Sequence, residues 1–257
     1  MPGSDRRHRR MSTPVDQLTL ISGWGAPVGM IESWVDGLAA EVAALSLDDA
    51  LLADSPTFDA AVDTLLARTC GRQWLVGWSL GGLLAMAMAQ RAPERVAGVI
   101  TVCTHPCFVS RDDGDTGMAP GTFAGFREGL ERHADRQWQR FMRLQVHGTP
   151  DGRRQLAPWL ESGAPASEAV LSRTLEWLAQ VDQRRTWADV NGKVPVRHLF
   201  GRRDPLVDPA CADSLRAQGG DARQLDDLFH WPFGDTATQV RWEIEAFLDE
   251  YRAGQAA

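Results

Sequence analysis

The sequence has no long hydrophobic run and no recognisable secretion signal. None of its apolar stretches reaches the roughly 18 residues that a membrane-spanning helix needs. Residues 1–14 carry four arginines and a histidine, but no apolar stretch follows them closely, which is unlike a secretory signal. We therefore expect residues 1–14 to form a disordered leader, and we expect a cytoplasmic protein that does not bind membranes.

Cysteine is also scarce. The chain has four cysteines, at positions 70, 103, 107 and 211, and their spacing fits neither a disulfide framework nor paired zinc knuckles. Reduced structural thiols are the expectation, which agrees with a cytoplasmic location. No cluster of metal ligands or cofactor motif is evident, so neither a metal nor an organic cofactor is predicted.

Positive charge is in deficit overall but not everywhere. The formal net charge is −7, which argues against nucleic acid as a partner for the whole surface. Between residues 127 and 154, however, seven arginines face only four acidic residues. One region of an acidic chain is therefore basic, and such a region suits an acidic partner.

Short apolar runs that read as buried strands alternate with helical patterns. The runs lie at 18–22, 41–47, 73–78, 96–103, 194–200 and 222–225. This alternation predicts an α/β fold, a mostly parallel sheet with helices on both faces. Residues 108–190 interrupt the rhythm with helical periodicity and no convincing strand. We predict a core made of residues 15–107 and 191–257, and a helical lid at 108–190 over the carboxyl edge of the sheet.

A nucleophile motif follows the strand at 73–78. Gly77-Trp78-Ser79-Leu80-Gly81 matches G-x-S-x-G, entered by an apolar strand and left by a helix that Pro93 ends. The glycines permit a sharp turn that lifts Ser79 above the sheet, beside a helix N-terminus that favours developing negative charge. The alternative is an ordinary tight turn, but the strand–turn–helix context favours a nucleophile.

A serine hydroxyl needs a base to take its proton and an acid to orient that base. Of six histidines, only His230 lies between the last strand and the last helix. Asp204 follows a strand in a turn between Gly201 and Pro205, whereas Asp208 precedes a proline and resembles a helix cap. Ser79, Asp204 and His230 are the predicted triad, in the chain order of the α/β-hydrolase fold.

Acyl transfer also needs two hydrogen-bond donors for the oxyanion. The backbone N–H of Leu80, directly after the nucleophile, is one candidate. The loop Ser22-Gly23-Trp24-Gly25 follows the first strand, and the N–H of Trp24 is the other candidate. Trp24 and Trp78 would also provide aromatic walls for the site.

Several motifs together resemble one family, the pimeloyl-[acyl-carrier protein] methyl ester esterases of the biotin pathway. The motifs in the core are Gly23-Trp24-Gly25, residues 77–82, residues 101–108, Gly201-x-x-Asp204-x-x-Val207 and His230-Trp231-Pro232-Phe233. Those in the predicted lid are Ala124-Gly125-Phe126 and Arg140-Phe141-Met142-Arg143-Leu144-Gln145 with Gly148. The lid motifs are the more specific, because the triad motifs occur throughout the α/β hydrolases.

The resemblance implies hydrolysis of a methyl ester on a pimeloyl chain carried by acyl-carrier protein. It implies that Trp24, Ser79, Leu80, His230 and the run Phe141, Met142, Arg143, Leu144 and Gln145 contact substrate. It further implies that the lid arginines Arg136, Arg140 and Arg153 face the carrier. Two positions depart from the family: Ser22 stands where histidine is usual, and Ala157 replaces a lid arginine, with Arg154 close by.

Two other functions fit parts of the sequence. A general carboxylesterase for short acyl esters would use the same triad without meeting a carrier protein. A non-catalytic binding protein on the same fold is the alternative from another class, although such proteins commonly lose a triad member and all three are present here. A monomer is expected in each case.

Overall fold

The computed structural model describes residues 16–111 and 116–256. The expected leader at 1–14 lies outside these residues. Six strands form one sheet in the order β2-β1-β3-β4-β5-β6, and each neighbouring pair is parallel. The strands are β1 (Asp16–Ile21), β2 (Ala40–Leu45), β3 (Gln73–Trp78), β4 (Val96–Val102), β5 (Val196–Gly201) and β6 (Asp221–Leu225). The α/β fold class with its parallel sheet is thus confirmed.

Within the described residues, ten α-helices connect and cover the strands. They are α1 (Asp49–Leu52), α2 (Phe58–Arg68), α3 (Leu80–Arg91), α4 (Pro120–Arg132), α5 (Ala134–Gln145), α6 (Gly152–Ser162), α7 (Glu168–Gln180), α8 (Arg184–Asn191), α9 (Ala210–Ala217) and α10 (Asp235–Ala256). Side chains cap some of them: Thr57 accepts a hydrogen bond from the Ala60 N–H, and Ser167 accepts one from the Val170 N–H. None of the helices in the described ranges is long and apolar enough to cross a membrane.

The central strands are buried on both faces. Every residue of β3, β4 and β5 is buried, which explains why these segments read as continuous apolar runs. Arg197 of β5 is a charged side chain in this buried part of the sheet. Its guanidinium donates to the carboxylates of Asp221 and Glu250 at 2.8 and 2.7 Å. A buried charge of this kind is tolerated because it is paired. By contrast, β2 at the sheet edge is largely exposed.

The segment between β4 and β5 is helical. In residues 120–191, which we call the helical insertion, the chain forms α4 to α8 and no strand. Buried hydrogen bonds fasten it to the core. The Trp138 indole donates to the Gly25 carbonyl at 2.7 Å, Trp24 donates to the Leu171 carbonyl at 2.9 Å, and the Gln183 amide donates to the Leu83 carbonyl at 2.9 Å. The insertion is therefore tied to the loop that follows β1 and to α3.

The sequence did not predict the connection between β1 and β2 correctly. Its helical pattern forms two short 3₁₀ turns, Val28–Met30 and Glu32–Trp34, rather than an α-helix. Pro27 precedes the first turn, and Gly37 follows the second with a φ of 77°, so both ends of this segment are interrupted.

Candidate active site

Ser79 lies in a strained turn between β3 and α3. Its φ and ψ are 53° and −118°, an unusual backbone conformation for a residue other than glycine. A Cβ at Gly77 would lie 2.5 Å from the Gly81 carbonyl oxygen, and one at Gly81 would lie 2.4 Å from the Ile21 carbonyl oxygen. Both glycines are therefore required for the close approach of strand and helix, and they hold the hydroxyl at the carboxyl end of β3.

Thr104 fixes the same turn from the neighbouring strand. Its hydroxyl donates to the Ser79 carbonyl at 3.2 Å, and the Ser79 N–H donates to the Val102 carbonyl at 3.0 Å. A Cβ at Gly82 would lie 2.3 Å from the Thr104 hydroxyl oxygen, which explains why a glycine directly follows the motif. The loop after β4 thus determines the position of the serine backbone.

Asp204 and His230 form a buried pair. The His230 Nδ1 lies 2.9 Å from Asp204 Oδ2, and both side chains are 1% exposed. Asp204 Oδ1 accepts hydrogen bonds from the N–H groups of Leu206 and Val207 at 2.8 and 3.0 Å. These bonds orient the carboxylate, which in turn leaves Nε2 of the imidazole as the nitrogen available for proton transfer.

Asp208, the alternative acid, faces the next helix instead. Its carboxylate accepts a hydrogen bond from the Ala210 N–H at 2.9 Å, directly before the first turn of α9. The formal cap residue is Pro209, which has no side-chain hydrogen bond to offer. Asp208 thus accepts a hydrogen bond from the start of α9, as a cap residue does, although it lies one residue before the N-cap position.

Tryptophan indoles hold the loop that carries His230. Trp78, beside Ser79, donates to the His230 carbonyl at 2.7 Å, and Trp34 donates to the Pro232 carbonyl at 3.1 Å. Trp231 itself donates to the Met30 carbonyl at 2.9 Å. All three indoles are buried, so each bond forms in a low-dielectric environment where leaving it unmade would be costly.

The loop after β1 approaches the serine closely. A Cβ at Gly23 would lie 3.4 Å from the Ser79 Cβ, and the Gly23 carbonyl accepts the Ala26 N–H in a turn. Ser22 is fully buried and its hydroxyl accepts a hydrogen bond from the Leu47 N–H at 3.2 Å, so it anchors this loop to the one after β2. The N–H of Leu80, in the first turn of α3, has no intrahelical acceptor by its position.

An apolar cavity of about 570 Å³ is lined by Trp24 of this loop and by residues of the helical insertion. Its aromatic part is a cluster of Trp24, Phe126 and Phe141, with ring centroids 5.0 to 5.6 Å apart. Arg140 and Arg143 also line the cavity, where it meets the surface of α5. A chain of methylene groups with a polar end matches this combination of apolar wall and cationic rim.

The structure divides the run 141–145 between interior and surface. Phe141, Met142 and Gln145 are buried, whereas Arg143 and Leu144 are exposed. The Gln145 amide nitrogen lies 3.3 Å from the Met142 sulfur, and its Oε1 is buried without a hydrogen-bond partner among the described residues. Only Phe141, Arg143 and Leu144 of this run line the apolar cavity.

The carrier contacts predicted at Arg136, Arg140, Arg153 and Arg154, and the predicted substrate contact Arg143, differ in their pairing. No acidic side chain in the described ranges forms an ion pair with Arg136, Arg140, Arg143 or Arg153, whereas Arg154 pairs with Asp151 at 3.3 Å. Arg136, Arg140 and Arg143 line one groove of about 530 Å³ along α5. Arg143 and Arg153 line an adjoining depression with Ala157. Arg143 thus borders the apolar cavity, the groove and the depression.

One group of side chains has the composition of a metal site. Ligand atoms of Cys103, Asp204 and His230 lie within 4.8 Å of one another, and all three residues are buried. The Asp204–His230 hydrogen bond already accounts for two of the three. The prediction that no metal is used is not tested by this geometry.

The fold and the site define an α/β hydrolase. A sequence model of the alpha/beta hydrolase fold matches residues 53–233. A bromoperoxidase from Bacillus anthracis superposes with a TM-score of 0.78 at 17% identity, covering 92% of both chains. An esterase from Exiguobacterium antarcticum superposes with a TM-score of 0.73 at 16% identity, covering 91% of this chain and 92% of the other.

Curated relatives narrow the assignment. The pimeloyl-[acyl-carrier protein] methyl ester esterase of Aromatoleum aromaticum is 33% identical over 232 residues, 84% of this chain and 91% of that protein. The enzyme of the same name from Aeromonas hydrophila is 31% identical over 246 residues, 90% of this chain and 94% of that protein. The chain belongs to this family of carboxylic ester hydrolases.

Sequence reasoning missed several residues that shape the site. Thr104, Trp34, Trp138 and Cys103 were not singled out, although each contacts the elbow, the His230 loop, the Trp24 loop or the Asp204–His230 pair. The ten tryptophans were the available signal. A tryptophan brings an indole donor into the core, and most buried indoles find an acceptor.

Proposed function

We propose that the chain is a serine carboxylesterase that hydrolyses the methyl ester of a pimeloyl chain attached to acyl-carrier protein. The observation that supports it best is the junction of the apolar cavity with unpaired arginines. The cavity suits the methylene chain, and Arg136, Arg140, Arg143 and Arg153 suit an acidic carrier and the phosphate of its prosthetic arm. The names of the relatives agree with this substrate.

We infer the catalytic roles from the Asp204–His230 pair and from the position of Ser79 at the end of β3. His230 takes the proton of Ser79 as the hydroxyl oxygen attacks the ester carbonyl, and Asp204 orients the imidazole and stabilises its charged form. The N–H groups of Trp24 and Leu80 bind the oxyanion. The C–O bond to the methoxy group then breaks, and His230 returns the proton so that methanol leaves.

The second half of the cycle releases the acid. A water molecule gives a proton to His230 and attacks the acyl group on Ser79. A second tetrahedral intermediate collapses, His230 protonates Ser79, and the free carboxylate of the carrier-bound chain departs. No step calls for a metal or an organic cofactor, because the leaving group is an alcohol that one imidazole can protonate.

Carrier recognition separates this function from a general esterase. We would measure kcat/KM for the carrier-bound methyl ester and for a free short-chain methyl ester, using wild type and the double variant R136E/R153E. These two arginines line the groove and the depression but not the apolar cavity. We expect the double variant to lose about 100-fold on the carrier substrate and little on the free ester, because each reversed charge near an acidic partner costs on the order of tenfold. Raised salt should weaken only the carrier reaction.

The control is R68E, which makes the same type of charge change at the end of α2, on the amino side of β3. It should behave as wild type on both substrates. Equal activity on both esters in all proteins would show a general carboxylesterase, and the carrier proposal would be wrong.

A further inference from the structure

The loop after β4 places one buried thiol beside the proposed acid and base. Cys103 directly follows β4, is fully buried, and has its Sγ within 4.8 Å of ligand atoms of both Asp204 and His230. The same sulfur lies 3.5 Å from the carbonyl oxygen of Phe229, the residue before His230. The Cys103 side chain therefore contacts both loops that carry the pair.

The protonation state of this thiol is set by its surroundings. Burial raises the pKa of Cys103 well above its ordinary value, and the negative charge of Asp204 acts in the same direction. Cys103 is thus a neutral S–H donor, not a thiolate nucleophile. Its single hydrogen is donated to the Phe229 carbonyl, and the Asp204 carboxylate is a close neighbour of the sulfur.

The backbone of Cys103 has a conformation that is strained for any residue other than glycine. Cys103 has a φ of 49°, one of three positive values among the non-glycine residues that the structure describes, and Ser79 is another. Its N–H donates to the Leu199 carbonyl at 2.8 Å, which holds the residue at the end of β4 next to β5. A side chain kept in such a conformation suggests that the side chain has a use.

We propose that Cys103 is a positioning residue, whose S–H bond to the Phe229 carbonyl holds the His230 loop against Asp204 in the orientation that acylation requires. The proposal rests on the proposed roles of Asp204 and His230. Asp204 accepts hydrogen bonds from two backbone N–H groups and lies against the imidazole, and its side chain is 1% exposed. The Asp204–His230 contact therefore depends on where the His230 loop is held, and the Phe229 carbonyl that Cys103 binds is in that loop.

The test compares variants with and without a donor. C103A and C103G remove it, and C103G also suits the positive φ, so a folding defect in C103A does not end the experiment. C103S keeps a donor of similar size. C211A is the matched control, since Cys211 is also buried but lies in α9.

We expect C103A and C103G to lower kcat by about three- to tenfold with little change in KM. Without the bond to Phe229, the His230 loop is held less firmly against Asp204 and the imidazolium is less stabilised, so the acid limb of the kcat/KM profile should move to lower pH by about half a unit. C103S should restore the wild-type limb, and C211A should match wild type throughout. A merely structural role would lower the melting temperature without moving the acid limb.

The proposal is wrong if C103A and C103G keep the wild-type kcat and acid limb, or if C103S fails to restore a limb that they move. D204N, assayed alongside, separates this failure from a failure of the triad. An active D204N would show that Asp204 is not the catalytic acid of the triad. An inactive D204N together with a C103A that matches wild type would contradict only the role of Cys103.

Discussion

Replacing His198 with phenylalanine should make the stability of the fold less sensitive to acid. His198 lies in β5, is fully buried, and stacks on Trp187 of α8 with ring centroids 4.3 Å apart and planes 3° apart. Its Nδ1 lies 2.8 Å from the Thr101 hydroxyl oxygen, and its Nε2 has no hydrogen-bond partner among the described residues. Burial lowers the pKa of His198 from 6.5 to about 3, against an opposing effect of the Asp221 carboxylate.

The size of the effect follows from proton linkage. Between pH 6.5 and pH 3 the unfolded chain binds a proton at this imidazole that the folded chain does not, so the free energy of unfolding falls as the pH falls. At pH 5 the loss is about 2 kcal/mol, since one pH unit corresponds to about 1.4 kcal/mol. At that pH the result depends on the unfolded-state pKa and hardly on the native one.

Urea unfolding of wild type and H198F at pH 8 and pH 5 measures this difference. The free energy of unfolding of wild type should fall by about 2 kcal/mol more than that of H198F, because phenylalanine keeps the ring on Trp187 but cannot bind a proton. H133F, which changes an exposed histidine at the start of α5, is the matched control. Equal pH dependence in wild type and H198F would show that the folded protein protonates His198, and the reasoning from burial would fail.

Two further predictions concern close packing around the site. G77A should abolish activity and folded yield, because the new Cβ would lie 2.5 Å from a backbone oxygen of α3; G192A, with no atom closer than 3.9 Å, should behave as wild type by circular dichroism and esterase assay. W138F should lower the free energy of unfolding by about 1–3 kcal/mol, because it leaves the Gly25 carbonyl unpaired in the interior. Urea unfolding tests this against W242F, which alters a side chain that is 60% exposed; equal losses in both variants would contradict it.

The sheet and the elbow could be predicted because their signals are local. An apolar run of six residues followed by G-x-S-x-G specifies a strand and a turn, and both appear at the expected residues. The choice of Asp204 over Asp208 also depends on local position, since Asp204 follows the strand directly and Asp208 lies four residues further on, before the next helix. The structure places Asp208 at that start and Asp204 against His230.

The remaining features depend on residues far apart in the chain. The Trp34 indole reaches the Pro232 carbonyl across 198 positions, and the Trp138 indole reaches Gly25 across 113. Nothing local to a tryptophan says which carbonyl it will meet. The pairing of Arg154 with Asp151 is a local helix contact that the sequence could have indicated. That Arg136 and Arg140 have no acidic partner among the described residues can be seen only from the folded surface.

Cys103 shows the same limit at the site. Its neighbours Asp204 and His230 are 101 and 127 residues away in sequence, so the composition only marked it as one of four thiols. Its φ of 49° is likewise a property of the folded loop, since cysteine has no preference for that conformation.

The most direct test of the account is the mass of the covalent intermediate formed with the carrier-bound methyl ester. We would mix enzyme and substrate, quench in acid within milliseconds, and measure the intact protein mass with S79A as the control. If Ser79 attacks the methyl ester, methanol leaves and the whole acyl-carrier protein stays attached to Ser79, so the adduct has the summed mass of both proteins less one methanol. An adduct that carries only the methyl pimeloyl group, with the carrier released, would show attack at the carrier linkage instead. The same adduct in S79A, or an adduct in wild type on a residue other than Ser79, would contradict the proposed nucleophile.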